Sequence, residues 1–248
     1  MFSLIAFSGH QGSGKDYSAD YLVEKHGYIK VKFAAFIQDI VAVLGDEYNT
    51  DLSHRKLFED RRWKEETPYF NKDLNIDSKL FKATPRQLMQ DIGEGLRTNI
   101  DSFIWCALTY RTISKLVLAG NNKIVISDLR YPNEVSLVKD VFKGKVVMLS
   151  TSSSEVFFSK VKKDNKGNIH SSESHYAEIA SKADYYLYNS YKDTFHDTKE
   201  YLAQLDKIVR ETLEGKTKDE VIDVLSKDFN LLIKNSKLIN STSKTKIS

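Results

Sequence analysis

A single cysteine, Cys106, stands among 248 residues, so no disulfide can form within the chain, and the composition suits a reducing cytoplasm. No apolar run approaches the ~18 residues needed to cross a bilayer. The first apolar stretch, Met1 to Phe7, has no basic leader and enters a glycine-rich loop directly, which argues against a signal peptide. Charge of one sign is scarce as well: 37 Lys and Arg against 34 Asp and Glu leave +3. Four lysines and no acid lie between Leu231 and Ser248, so the chain without that basic tail carries −1. Such a body argues against dedicated nucleic-acid binding, which usually shows a basic face. There is no internal repeat and no linker that would divide the chain. What is present, 41% apolar and 29% charged residues, is ordinary for one folded domain.

Short apolar runs alternate with helical spacings. Phe2–Ser8, Tyr28–Phe33, Lys123–Ser127, Lys145–Leu149 and Tyr185–Tyr188 read as strands. Asp16–Lys25, Pro132–Phe142 and Thr194–Leu213 read as helices, and Ala34–Tyr110 as mostly helical. Within that segment Thr84-Pro85 is a helix start, with threonine at the cap and proline at the first helical position. The pattern predicts an α/β fold, a parallel sheet covered by helices on both faces. A helical insert is expected over residues 34–120 and a polar lid over 151–174. The expected domain spans residues 1–205, followed by a helix and basic tail over 206–248.

The strongest motif is Gly9-His10-Gln11-Gly12-Ser13-Gly14-Lys15-Asp16, a G-x-x-x-x-G-K phosphate loop between the first strand and first helix. Glycines let the backbone N–H groups turn inward at a helix N-terminus, where an anion is favoured. Lys15 adds a mobile charge for the β- and γ-phosphates of ATP. Asp16 replaces the usual Ser or Thr, and a carboxylate is itself a good Mg²⁺ ligand, directly or through water.

Asp128 follows the strand Lys123–Ser127, and ligands of open parallel sheets bind beyond the carboxyl ends of strands. It is therefore expected to serve the metal, with Arg130 reaching the transferring phosphoryl group. Pro132 and Glu134 fit a proline-started helix equally well. Arg86 and Gln90 share a face one turn apart, suited to a phosphate and a base edge. Trp63 and Trp105 can stack on a base, with a buried core place the better reading for Trp105. His170, Glu173 and His175 match no zinc spacing. Lys160, Lys162 and Lys163 suit either a lid over phosphates or a solvated loop.

Taken in order, GHQGSGKD, TPRQLMQDIG followed by DSFIW, SDLRYPNE, HSSE and ADYYLYN resemble the deoxynucleoside monophosphate kinases of tailed bacteriophages, over roughly residues 1–205. The resemblance implies a P-loop kinase with Mg·ATP as donor, a deoxynucleoside monophosphate as acceptor and a homodimeric state. It places Gly9, Gln11, Gly12, Ser13, Gly14, Lys15, Asp16 and Tyr17 on ATP, with Asp16 and Asp128 at Mg²⁺. Arg130 would bridge donor and acceptor. Arg86, Gln90, Trp105, Glu134, His170, Ser172 and Glu173 would meet the acceptor, under a lid bearing Lys160 and Lys163. Two departures stand out: Tyr17 replaces a frequent threonine, and the lid carries lysines where arginines are expected. A P-loop kinase of another small acceptor and a non-catalytic ATP-binding module remain alternatives. A GTPase does not, since no Asn-Lys-x-Asp follows a late strand; Asn71-Lys72-Asp73 lacks both spacing and strand.

Overall fold

The computed structural model describes residues 2–45, 49–66, 82–150, 175–189 and 195–213. The expected lid, with Lys160, Lys163, His170, Ser172 and Glu173, lies outside them, as does the tail beyond residue 213. Two compact units emerge, one formed by Met1–Lys32 with Thr109–Ser248, the other by Phe33–Leu108.

The first unit is built on a five-stranded, all-parallel sheet in the order β2-β3-β1-β4-β5. The strands are β1 (Ser3–Ser8), β2 (Ile29–Val31), β3 (Lys123–Leu129), β4 (Lys145–Ser150) and β5 (Tyr185–Tyr188). Every residue of β1 is buried, as expected of a central strand with both faces covered. On one face Ile5, Phe7, Val125, Val147 and Leu149 pack with Ala19 and Leu22 of α1 (Lys15–His26) and with Tyr201, Leu205, Ile208 and Val209 of the final helix. On the other, Tyr110 and Phe2 meet the ring of Phe142.

The helix expected over Pro132–Phe142 is in fact two pieces, an α-turn at Pro132–Ser136 and a wider π-turn at Leu137–Val141. That widening keeps Leu137, Val138 and Val141 all buried. A short helix at Tyr176–Lys182 precedes β5, and the final helix runs unbroken from Phe195 to Leu213, across residue 205. Leu205, Ile208 and Val209 are 1–3% exposed, so this helix completes the core rather than trailing from it.

The second unit is helical: α2 (Ala35–Leu44), a 3-10 turn (Ser53–Glu59), α3 (Arg61–Glu66), α4 (Pro85–Asn99) and the start of α5 (Ile104–Leu118). Val41, Ala42, Phe58, Ala83 and Leu88 form its core, flanked by Trp63, Met89 and Ile92. As expected, α4 begins at Thr84-Pro85. The Thr84 hydroxyl accepts from Gln87 N–H, and the Gln87 side chain accepts from Thr84 N–H at 2.8 Å, a reciprocal cap.

Candidate active site

Strand order reverses between β1 and β4, the position at which parallel sheets bind ligands. The loop leaving β1 lies there. Gly9, Gly12 and Gly14 all have positive φ (140°, 80° and 92°), a region that side-chain-bearing residues rarely adopt. Two of them are also forced by proximity. A Cβ on Gly9 would stand 2.4 Å from the carbonyl oxygen of Leu149, and one on Gly14 would stand 2.3 Å from Nδ2 of Asn189. Gly14 turns the chain into α1, whose first exposed N–H groups and dipole favour an anion.

Lys15 is nearly buried, and its ammonium donates to the carbonyls of Gly9 (2.6 Å) and His10 (2.8 Å). The loop thus holds its own cation at its rim. Asn189, just past β5, donates to the carbonyl of Ser13 at 3.3 Å and braces the loop from the strand two places away in the sheet. Ser18 and Tyr201 share a short hydrogen bond of 2.5 Å that ties α1 to the final helix. Tyr17 is exposed.

Asp16 Oδ1 accepts from the Ser127 hydroxyl at 2.8 Å and lies 3.2 Å from the Lys32 ammonium and 4.0 Å from that of Lys30. Desolvation pushes its carboxyl up, but the Lys32 charge, the Ser127 hydroxyl and Lys30 outweigh it, so the group sits below its ordinary value and is ionised at neutral pH. Lys30 itself pairs with Asp20 at 2.5 Å. Asp16 is a hard-oxygen donor of the kind Mg²⁺ takes alongside phosphate oxygens and water. No group of three or more His, Cys, Asp or Glu forms a metal cluster among the described residues.

Asp128 does not follow β3, as expected, but lies inside it, because the strand continues to Leu129. The pairing shows how the strand runs past Ser127. Ala6 pairs with Ile126 and Ser8 with Leu129, so β3 takes three steps where β1 takes two. Ser127 and Asp128 together stand opposite the single residue Phe7, a bulge of the kind that re-aims side chains beside active sites.

Arg130 is half-buried, and its guanidinium has no hydrogen bond or ion pair among the described residues. Glu134 is 2% exposed. Its Oε2 accepts the backbone N–H groups of Arg130 (2.7 Å) and Tyr131 (3.0 Å), which fixes the turn that carries Arg130. That engagement gives Glu134 a supporting place beneath Arg130.

In the helical unit, Arg86 donates to Glu65 at 2.8 Å, an acid that sequence reasoning passed over. Burial raises the Glu65 carboxyl, but Arg86 and Arg61 more than offset this and hold it below its ordinary value. Gln90 lies one turn further along α4 and is half-buried. Trp105 is 1% exposed, and its indole N–H donates to the carbonyl of Gly93 at 3.0 Å. The ring is thus buried, the place that the sequence favours for it.

No family model matches the chain. It is 28% identical over 153 residues to a protein of Acanthamoeba polyphaga mimivirus whose name assigns it provisionally to the deoxynucleotide monophosphate kinases. The match covers 56% of this chain and 69% of that one. Among solved structures it is similar to shikimate kinase from Bacteroides thetaiotaomicron, with a TM-score of 0.41 and 10% identity over 85% of this chain and 99% of that one. Dephospho-CoA kinase from Campylobacter jejuni gives a TM-score of 0.42 and 14% identity over 84% and 98%. No helix among the described residues is long and apolar enough to cross a membrane. The chain carries a phosphate loop on a parallel α/β sheet.

Proposed function

We propose that the protein is a deoxynucleoside monophosphate kinase that transfers the γ-phosphoryl group of ATP to a deoxynucleoside monophosphate, giving the diphosphate and ADP. The observation that carries this reading is the loop itself: three glycines with positive φ, and Lys15 held over the carbonyls of Gly9 and His10 at the start of α1. The deoxynucleotide acceptor is supported by the motif resemblance and by the mimivirus relative.

In this reading Gly9, Gln11, Gly12, Ser13, Gly14 and Lys15 bind the ATP phosphates. Asp16 and Asp128 hold Mg²⁺, which would neutralise charge on the phosphates when bound. Arg86 and Gln90 bind the acceptor. Arg130 stabilises the phosphoryl group in transit, and Glu134 holds the backbone from which Arg130 projects. His170, Ser172 and Glu173 also serve the acceptor, and Lys160 and Lys163 the lid. The resemblance adds a homodimer, and the single cysteine suits a cytoplasmic location.

No general base is required. A phosphate monoester has a second pKa of ~6, so the attacking oxygen is already ionised at neutral pH. The remaining task is to bring two anions into line and stabilise a loose transition state, which positioning and positive charge perform. A coupled assay of ADP release with Mg·ATP against all common deoxy- and ribonucleoside monophosphates tests the proposal. Turnover with deoxynucleotides, abolished by Lys15→Ala, is the expected result. Tight ATP binding without turnover on any nucleotide would overturn it in favour of another acceptor or a binding module.

A further inference from the structure

In most phosphate loops the residue after the lysine is a Ser or Thr whose hydroxyl serves the nucleotide's Mg²⁺, and a strand aspartate supplies the acid. Here the helix position holds an acid, Asp16, and the neighbouring strand holds a hydroxyl, Ser127. The two are 111 residues apart and 2.8 Å from each other. Ser127 is 1% exposed, whereas Asp16 is largely open to solvent. A buried donor thus joins two lysines in holding an exposed carboxylate.

We infer that Ser127 is a positioning residue for Asp16, and that it supplies from the strand, beside that strand's own acid Asp128, the hydroxyl that the helix position lacks. Three observations bear on this. The hydroxyl, Lys32 and Lys30 all converge on Oδ1 of Asp16, and Oδ2 has no partner among the described residues. The anchoring thus fixes one oxygen and leaves the other to a ligand. The bulge that doubles β3 opposite Phe7 falls at Ser127 and Asp128, so the hydroxyl and the strand's own acid are adjacent at the end of one strand. Finally, the backbone of β3 at this point is held by Ser8, whose hydroxyl donates to the carbonyl of Leu129 at 2.9 Å. Ser127 therefore projects from a fixed base.

The inference rests on the nucleotide-binding reading above, and its test separates the two. ADP affinity is measured by calorimetry in Mg²⁺ and in EDTA for the wild type, S127A, D16A and the double variant, with folding checked by circular dichroism and melting. The wild type should bind ADP more tightly in Mg²⁺. S127A should lose roughly ten-fold of that enhancement, the scale of a hydrogen bond to a charged group, while its affinity in EDTA stays within about two-fold of wild type. The double variant should match D16A, because the hydroxyl has nothing to position once the acid is gone. An S127A protein with the full enhancement, or losses that multiply in the double variant, would overturn the inference and leave the phosphate loop intact. Failure of the wild type to bind ADP in either condition would overturn the underlying reading as well.

Discussion

Asn189 donates its side-chain amide to the carbonyl of Ser13 across 176 residues of chain, so the residue after the last strand braces the loop after the first. Its Nδ2 also lies where a side chain on Gly14 would stand. Asn189→Ala leaves a buried carbonyl unpaired, and we expect a stability loss of ~1–3 kcal/mol with weaker ATP binding. Gly14→Ala should be worse, because the 92° φ is itself strained for alanine. Combining the two should relieve the clash but not the strain. Melting and ATP titration of the four proteins would show it; full recovery in the double variant would mean that backbone conformation at Gly14 does not matter.

The guanidinium of Arg130 and the turn beneath it separate in function. Arg130→Ala should lower kcat by ~10³-fold or more, the range for arginines that stabilise a transferring phosphoryl group, with little change in melting temperature. Glu134→Gln weakens the acceptor for two backbone N–H groups and should destabilise the protein as well as slow it. Near-normal kcat in folded Arg130→Ala would remove that residue from the mechanism.

The final helix should behave as core. Leu205→Ala removes a side chain that is 1% exposed and should cost ~2–5 kcal/mol. Tyr201→Phe loses only the bond to Ser18, ~1 kcal/mol. Urea unfolding distinguishes them. A Leu205→Ala protein as stable as wild type would mean that the sheet does not need this helix.

Beside Asp16 and Glu65, two further carboxylates contribute acid sensitivity. Burial raises Asp39, but Arg55 and His54, at 2.6–2.8 Å, outweigh it and leave it below the ordinary 3.8. Asp206 is likewise raised by burial and lowered further by His26 and Tyr21. A depressed folded-state value means that the stabilisation is complete above the unfolded value, near 4, and is lost as pH falls through the lower folded one. Melting temperature should therefore be flat in this contribution above about pH 5 and fall below 4, with a shallower fall in Asp39→Asn. A slope unchanged by that substitution would count against Asp39.

Much of this was legible in the chain because it is local. The glycine spacing of the phosphate loop, the Thr84-Pro85 cap and the apolar runs of β1 and β5 each depend on residues within a few positions of one another. The buried apolar run of β3 ends at Ser127, one residue before Asp128, whereas the strand continues to Leu129; the extra residue exists only in register against β1. The sequence allows a base-stacking role for both tryptophans while favouring a core place for Trp105, which is 1% exposed; what a tryptophan packs against is not written in its neighbours.

The order of residues by itself determined where strands and helices form and which loop can cradle an anion, because periodicity, capping and glycine conformation act over one or two turns of chain. Only the tertiary structure decided that Ser127 meets Asp16, that Asn189 meets Ser13, and that Glu65 pairs with Arg86. Those contacts join segments tens to more than a hundred residues apart. Hydrogen bonds and ion pairs act at about 3 Å, and it is strand order and helix packing that bring such distant segments within that range.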